Sequence, residues 1–184
     1  TLSGIKKLKA YTSGGKVNRL RVDMGKAILD PKEIPVVLDG DKVVDRPVEI
    51  AGKNYNITCV SMGNPHCVVF MDDIDNLDIE TVGPEFENDK LFPERVNTEF
   101  VTVLDDHTIK MRVWERGSGE TWACGTGTCA TVMACILNKK TDNQELVPLR
   151  LPLVKTVFAK RAKTSRLSSR AAILLSTILM KRYI

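Results

Sequence analysis

Cys124 stands immediately before Gly125-Thr126-Gly127, and an apolar run begins just beyond it. Thr126 has the side chain of an N-cap, so the sequence places a helix start at the cysteine. A thiol there meets backbone N–H groups without intrahelical acceptors and the positive end of the helix dipole. Both favour thiolate over thiol. The same N–H groups can hold a carboxylate. Nine residues upstream lies the charged pair Glu115-Arg116, followed by Gly117 and Gly119, which admit backbone angles that side chains block. This is the pattern of a reactive cysteine beside an anion site. The competing reading is packing, because free cysteine is among the most buried residue types. Cys59, Cys67, Cys129 and Cys135 read that way. A metal centre built from Cys124, Cys129 and His66 is disfavoured. CxxxxC is not a usual zinc pair, and the chain has two histidines in all.

A second group is Gly63-Asn64-Pro65-His66. Pro65 fixes its own φ and restricts Asn64, so this loop is stiff and can hold Asn64 and His66 in one orientation. The competing reading is a turn closed by Asn64 and a satisfied loop histidine; Asn97 and the Glu115-Arg116 pair have similar structural readings.

The elements that position these residues follow from periodicity. Residues 111–114 alternate as a strand that ends at Glu115, and residues 126–138 are apolar on several faces, as in a buried helix. Residues 99–104 and 108–115 form a hairpin about Asp105-Asp106. Leu20, Val22 and Met24 alternate with charged residues, residues 55–60 form another strand, and residues 67–70 follow the stiff loop as a third. A short helix is expected over 76–88, interrupted at Gly83-Pro84, while residues 36–50 are weakly patterned.

The 184 residues suffice for one domain or two small ones, with 43% hydrophobic and 27% charged residues, as in soluble globular proteins. Five cysteines, an odd number, argue against a disulfide scaffold and for a reducing, cytoplasmic setting. No apolar run approaches the ~20 residues of a membrane helix, so no membrane partner is expected. The net charge of +4 hides an asymmetry. Residues 1–138 carry 16 Lys+Arg against 21 Asp+Glu, and residues 139–184 carry 11 against 2. The basic end reads either as a solvated surface or as a patch for an acidic partner.

ERGSGETWACGTGTCA closely resembles the second catalytic motif of the diaminopimelate epimerase family. GNPHCV, and FPERVNTEFV against the family's FPxRVNxEFV, carry the same resemblance. It covers roughly residues 4–138 and then fades, and no glycine follows Gly127. The resemblance implies an α+β fold in which a mixed or antiparallel sheet curls as a barrel around a central helix. It implies residues 1–18 as the end of an N-terminal domain, 19–148 as a C-terminal epimerase-like domain, and 149–184 as an atypical basic tail.

Its implied activity interconverts LL- and meso-diaminopimelate without a cofactor, in lysine and peptidoglycan-precursor biosynthesis. Inverting an α-carbon requires removing a weakly acidic proton and returning one to the opposite face, hence two flanking acid/base groups. Cysteine suits this because its pKa, about 8.5 when free, is readily tuned. By resemblance Cys124 is one of the two, tuned by Glu115, which also orients the substrate ammonium. Gly125 and Thr126 offer N–H groups to the α-carboxylate. His66 partners the opposite cysteine, and Asn64, Asn97 and Arg116 grip the distal end of the substrate. The family's other cysteine motif is not found before Val60. The chain therefore reads as the C-terminal part of such an enzyme, inactive alone, partnered by the absent N-terminal domain and a small amino-acid substrate. The resemblance allows a homodimer; nucleic acid is not an expected partner. Two other readings stay open: a non-catalytic remnant that binds through its basic tail, and a thiol or redox protein acting through Cys124 alone.

Overall fold

A computed structural model describes the backbone of residues 5, 7–106, 108–141, 147–151, 154–159 and 170–176, with side chains described for residues 5, 7–17, 20–106 and 108–141. Two parallel strand pairs set its architecture. The first is β5 (Pro65–Phe70) beside β6 (Asn97–Asp105), joined through α1 (Ile79–Glu87). The second is β7 (Thr108–Glu115) beside β9 (Val147–Leu151), joined through β8 (Gly119–Thr121) and α2 (Gly125–Leu137). β6 and β7 are antiparallel, so the two crossovers leave strands of opposite direction. Both step the same way along the sheet. Crossovers of one hand must then land on opposite faces, and the two helices do lie on opposite sides.

The remaining strands are β1 (Lys7–Ser13), β2 (Lys16–Lys26), β3 (Arg46–Ile50), β4 (Lys53–Ser61), β10 (Val154–Ala159) and β11 (Arg170–Ser176). Pairing runs β1-β2-β11-β10-β9-β7-β6-β5-β4-β3, with β8 attached to β7. The sequence expectations near 20–24, 55–60, 67–70, 99–104 and 108–115 fall within β2, β4, β5, β6 and β7. β1 extends the first of these into a hairpin that runs across position 18. Beyond residue 141, the described backbone of β9, β10 and β11 fills the sheet between β7 and β2.

The expected barrel is corrected. Among the described residues the sheet is open, with β1 and β3 at its two ends and no pairing between them. The α+β part of the expectation holds, with a mixed sheet. α2 packs against β4, β5, β6 and β11. Ala130, Ala134 and Cys135 of α2 meet Val60, Val68, Val101, Met111 and Val113 from the strands. Val132 and Met133 of α2 are half-buried against the same core, which accounts for the breadth of its apolar face.

The other face is closed by α1 and by the 31–50 segment. Phe86 of α1 stacks edge-on against Tyr55 and Phe100, with ring centroids 4.9 and 5.4 Å away. Gly83 presses directly on Trp114: a Cβ there would lie 2.3 Å from the indole. The helix continues through Pro84, which sits inside it, so the expected interruption does not occur. Because both faces of β4–β7 are buried, Ile57, Cys59, Cys67 and Phe100 face the α1 core while their alternating neighbours face α2.

Candidate active site

The helix N-cap lies two residues before Thr126. Cys124 itself is the N-cap of α2, in an extended conformation, and its Sγ accepts from Gly127 N–H at 3.3 Å. Its carbonyl takes the first helical bond from Thr128 N–H at 2.9 Å and a second from the Thr128 hydroxyl at 2.8 Å. Thr126 lies beside the sulfur, Oγ1 to Sγ 3.5 Å. A thiol is a larger, softer acceptor than the usual serine or aspartate, but the geometry is that of a cap.

The expected preference for thiolate is not what this setting produces. Burial and the nearby Glu99 carboxyl push the Cys124 thiol up to about 12. The Thr126 and Gly127 donors pull the other way and are outweighed, and Glu115 adds a smaller upward push. Cys124 is therefore held as a neutral thiol.

His66, at the start of β5, is fully buried. Its Nδ1 lies 2.7 Å from Glu99 Oε1 and its Nε2 lies 3.1 Å from Asn64 Oδ1. The stiff loop thus aims Asn64 and His66 at each other. One donor atom each from His66, Glu99 and Cys124 lie within 4.8 Å of one another. Glu99 replaces Cys129 in the only donor cluster found among the described residues; Cys129 belongs to the α2 core. Cys59 and Cys67 pair across β4 and β5 and lie in the α1 core, as packing residues.

Glu115 ends β7 and accepts from the Thr121 hydroxyl of β8, while its charge reaches Cys124. The turn that follows is fixed from below. Glu87 of α1 accepts from Gly117 N–H at 2.7 Å, from Trp114 Nε1 at 2.7 Å and from Arg95 at 3.0 Å. Gly117 and Gly119 take the left-handed φ that the sequence suggested, +75° and +80°.

Asn97 and Arg116 are brought together. Asn97 donates to the Pro65 carbonyl at 2.8 Å and accepts from Arg116 N–H at 3.1 Å. The Arg116 guanidinium donates to the Glu94 carbonyl at 2.8 Å. Asn97 therefore ties the GNPH loop to the turn after Glu115. Gly125 and Thr126 occupy the first turn of α2, whose N–H groups have no intrahelical acceptor. A surface cleft of about 270 Å³ lined by Asp72, Asp73, Asp75 and Lys110 shares no residue with this group.

Glu99 and Glu87 escaped the sequence reading. A signal for Glu99 existed: it sits in phase with Val101 and Val103 on a strand, where an apolar residue is the norm. Glu87 gave none, being one acid among several at the end of a short helix.

The family model described as diaminopimelate epimerase matches residues 58–153. A diaminopimelate epimerase of Agathobacter rectalis is 59% identical over 157 residues, 82% of this chain and 55% of the relative. One from Acetivibrio thermocellus is 50% identical over 149 residues, 81% of this chain and 53% of the relative. The chain thus spans about half the length of the curated relatives it matches. Among solved structures, a probable proline racemase of Agrobacterium radiobacter with bound carbonate aligns over 94% of this chain and 55% of its own, at TM-score 0.67 and 15% identity. A hydroxyproline epimerase of Agrobacterium vitis with bound trans-4-hydroxy-L-proline aligns over 94% and 53%, at TM-score 0.64 and 13% identity. At such identities these likenesses bear on the fold alone.

Proposed function

The chain belongs to the diaminopimelate epimerase family, and on that premise we propose that it supplies the Cys124 half of a two-base site that interconverts LL- and meso-diaminopimelate. The observation that carries this reading is Cys124 as the buried N-cap of α2, protonated, with Gly127 N–H on its sulfur. A base on the far face takes the α-proton, and the electron pair left on carbon spreads into the carboxylate. Cys124 Sγ–H then gives its proton to the near face and keeps the S–H electron pair. The Gly127 N–H and the Thr126 hydroxyl, both beside Sγ, receive the new thiolate. In the reverse direction the thiolate takes the proton back.

The substrate's α-carboxylate takes the Gly125 and Thr126 N–H groups at the α2 start. Its ammonium faces Glu115. Asn64 and Arg116 grip the distal end, with Asn97 holding their two loops in register. The far-face base, paired with His66 in the family's pattern, comes from a segment equivalent to the other half of the relatives. No cofactor enters these steps, and the setting is the cytoplasm, in lysine and peptidoglycan-precursor synthesis.

The test mixes this chain with the N-terminal half of the Agathobacter rectalis relative and follows stereoisomers by chiral chromatography. Conversion of LL- to meso-diaminopimelate, with proline left unchanged, is expected. Conversion of proline, or an unchanged diaminopimelate pool, would overturn the substrate assignment.

A further inference from the structure

Glu99 is the one buried carboxylate of the Cys124 group, and the two proton transfers proposed for the epimerisation do not pass through it. Its side chain is fully buried on β6, opposite Val68 of β5 and Val113 of β7. Oε1 is bonded to His66 Nδ1, and Oε2 has no hydrogen-bond partner among the described residues. Burying such an oxygen without a donor is costly and pushes the Glu99 carboxyl up, an effect that the His66 ring bonded to it opposes.

The carboxylate is also wedged under the first turn of α2. A Cβ added at Gly127 would lie 2.4 Å from Glu99 Oε1 and 3.2 Å from Cys124 Cβ. Glycine is required at 127 because the carboxylate and the capping cysteine converge there. The groups facing Cys124 are the Glu99 carboxyl from β6, the His66 ring from β5, Glu115 from β7, and the neutral donors Thr126 and Gly127 of α2. Two of these are carboxyls, and a thiolate formed beside them is opposed.

We propose that Glu99 is a positioning residue for the acid: its buried carboxylate, bonded to His66 and pressed against Gly127, keeps the proton on Cys124 Sγ. The proposal rests on Cys124 as the acid/base group, but it concerns a thiol titration that needs no substrate. Its failure is therefore distinct from failure of the epimerase reading.

The test is the pH profile of Cys124 alkylation by iodoacetamide in the full chain, read by peptide mapping. In Glu99→Gln the shape is kept and the charge removed. The alkylation midpoint should fall by at least about one pH unit, which is about a tenfold faster reaction at a fixed pH below it. Glu115→Gln should lower it less. Labelling of Cys67 and Cys135 reports unfolding in the same map. If Glu99→Gln exposes them, Glu99→Asp, which retracts the carboxylate from Gly127, is the second variant and should give a smaller fall. A midpoint that stays or rises in the folded variant overturns the proposal.

Discussion

Cys124 shows how two opposing electrostatic effects are decided by burial. The helix N-terminus contributes a donor at 3.3 Å and a favourable dipole, effects worth ~1–2 kcal/mol at such a position. Loss of solvent and the Glu99 carboxyl exceed them, and the thiol is pushed up to about 12. A free thiol in the unfolded chain ionises near 8.5. The folded state therefore holds this proton more tightly. Its stabilising share is intact below about pH 8.5 and is lost as the pH climbs toward about 12. The stability difference between the wild type and Cys124→Ala should shrink over that window, measured by urea unfolding at a series of pH values. A difference that grows with pH would contradict the protonated assignment. Among the five buried cysteines Cys124 keeps the most exposure, 6% against 1% or less, so it should also be the first alkylated.

Much of this residue scale was legible. ACGTGT located the cap to within two positions, and GNPH fixed Asn64 beside His66. The charge state was not legible, because it depends on Glu99. That residue reaches Cys124 only through the parallel pairing of His66 with Asn97, a contact across 31 positions of chain that local pattern does not encode.

At the scale of elements, α1 and the turn after β7 form one unit. Trp114 is pinned between Gly83 and Glu87, and Glu87 also holds the Gly117 amide. Gly83→Ala puts a methyl where the indole already sits, and such overpacking costs about 1–3 kcal/mol. The urea midpoint should fall accordingly; an unchanged midpoint would show that α1 shifts freely. Phe86→Ala removes a ring stacked on two others and should cost about 3–5 kcal/mol by the same measurement. β4 to β7 were readable because they are rich in apolar and β-branched residues, as strands buried on both faces are. β1 and β3 were not: their residues are mostly polar or exposed, so neither strand carries a buried stripe. Pro84 misled in the other direction. As the sixth residue of a nine-residue helix it forfeits the bond an N–H would give to the Glu80 carbonyl, and Val82 and Phe86, packed in the core on either side of it, hold the helix together.

For the whole molecule, the basic end has a place that its composition does not suggest. β9, β10 and β11 connect β7 to β2, and β2 is otherwise held through β1 and the Ile28–Ser61 bridge among the described pairings. A chain without residues 147–176 should lose amide-exchange protection in β2 while β4 to β7 keep theirs. Equal protection in β2 would show that these strands add nothing to its order. The open sheet differs from the barrel implied by resemblance because closure needs the terminal strands to pair, and among the described residues β1 and β3 each have one partner.

Proton transfer by Cys124 at one face of the α-carbon can be read in deuterated water, with this chain joined by the N-terminal half of a relative and supplied with LL-diaminopimelate. Deuterium at the α-carbon of the meso product, read by NMR in the first turnovers, should appear in the wild type and vanish in Cys124→Ala. It should persist in Cys129→Ala, whose thiol lies in the α2 core. Deuterated product from Cys124→Ala at the wild-type rate would show that another group carries this proton.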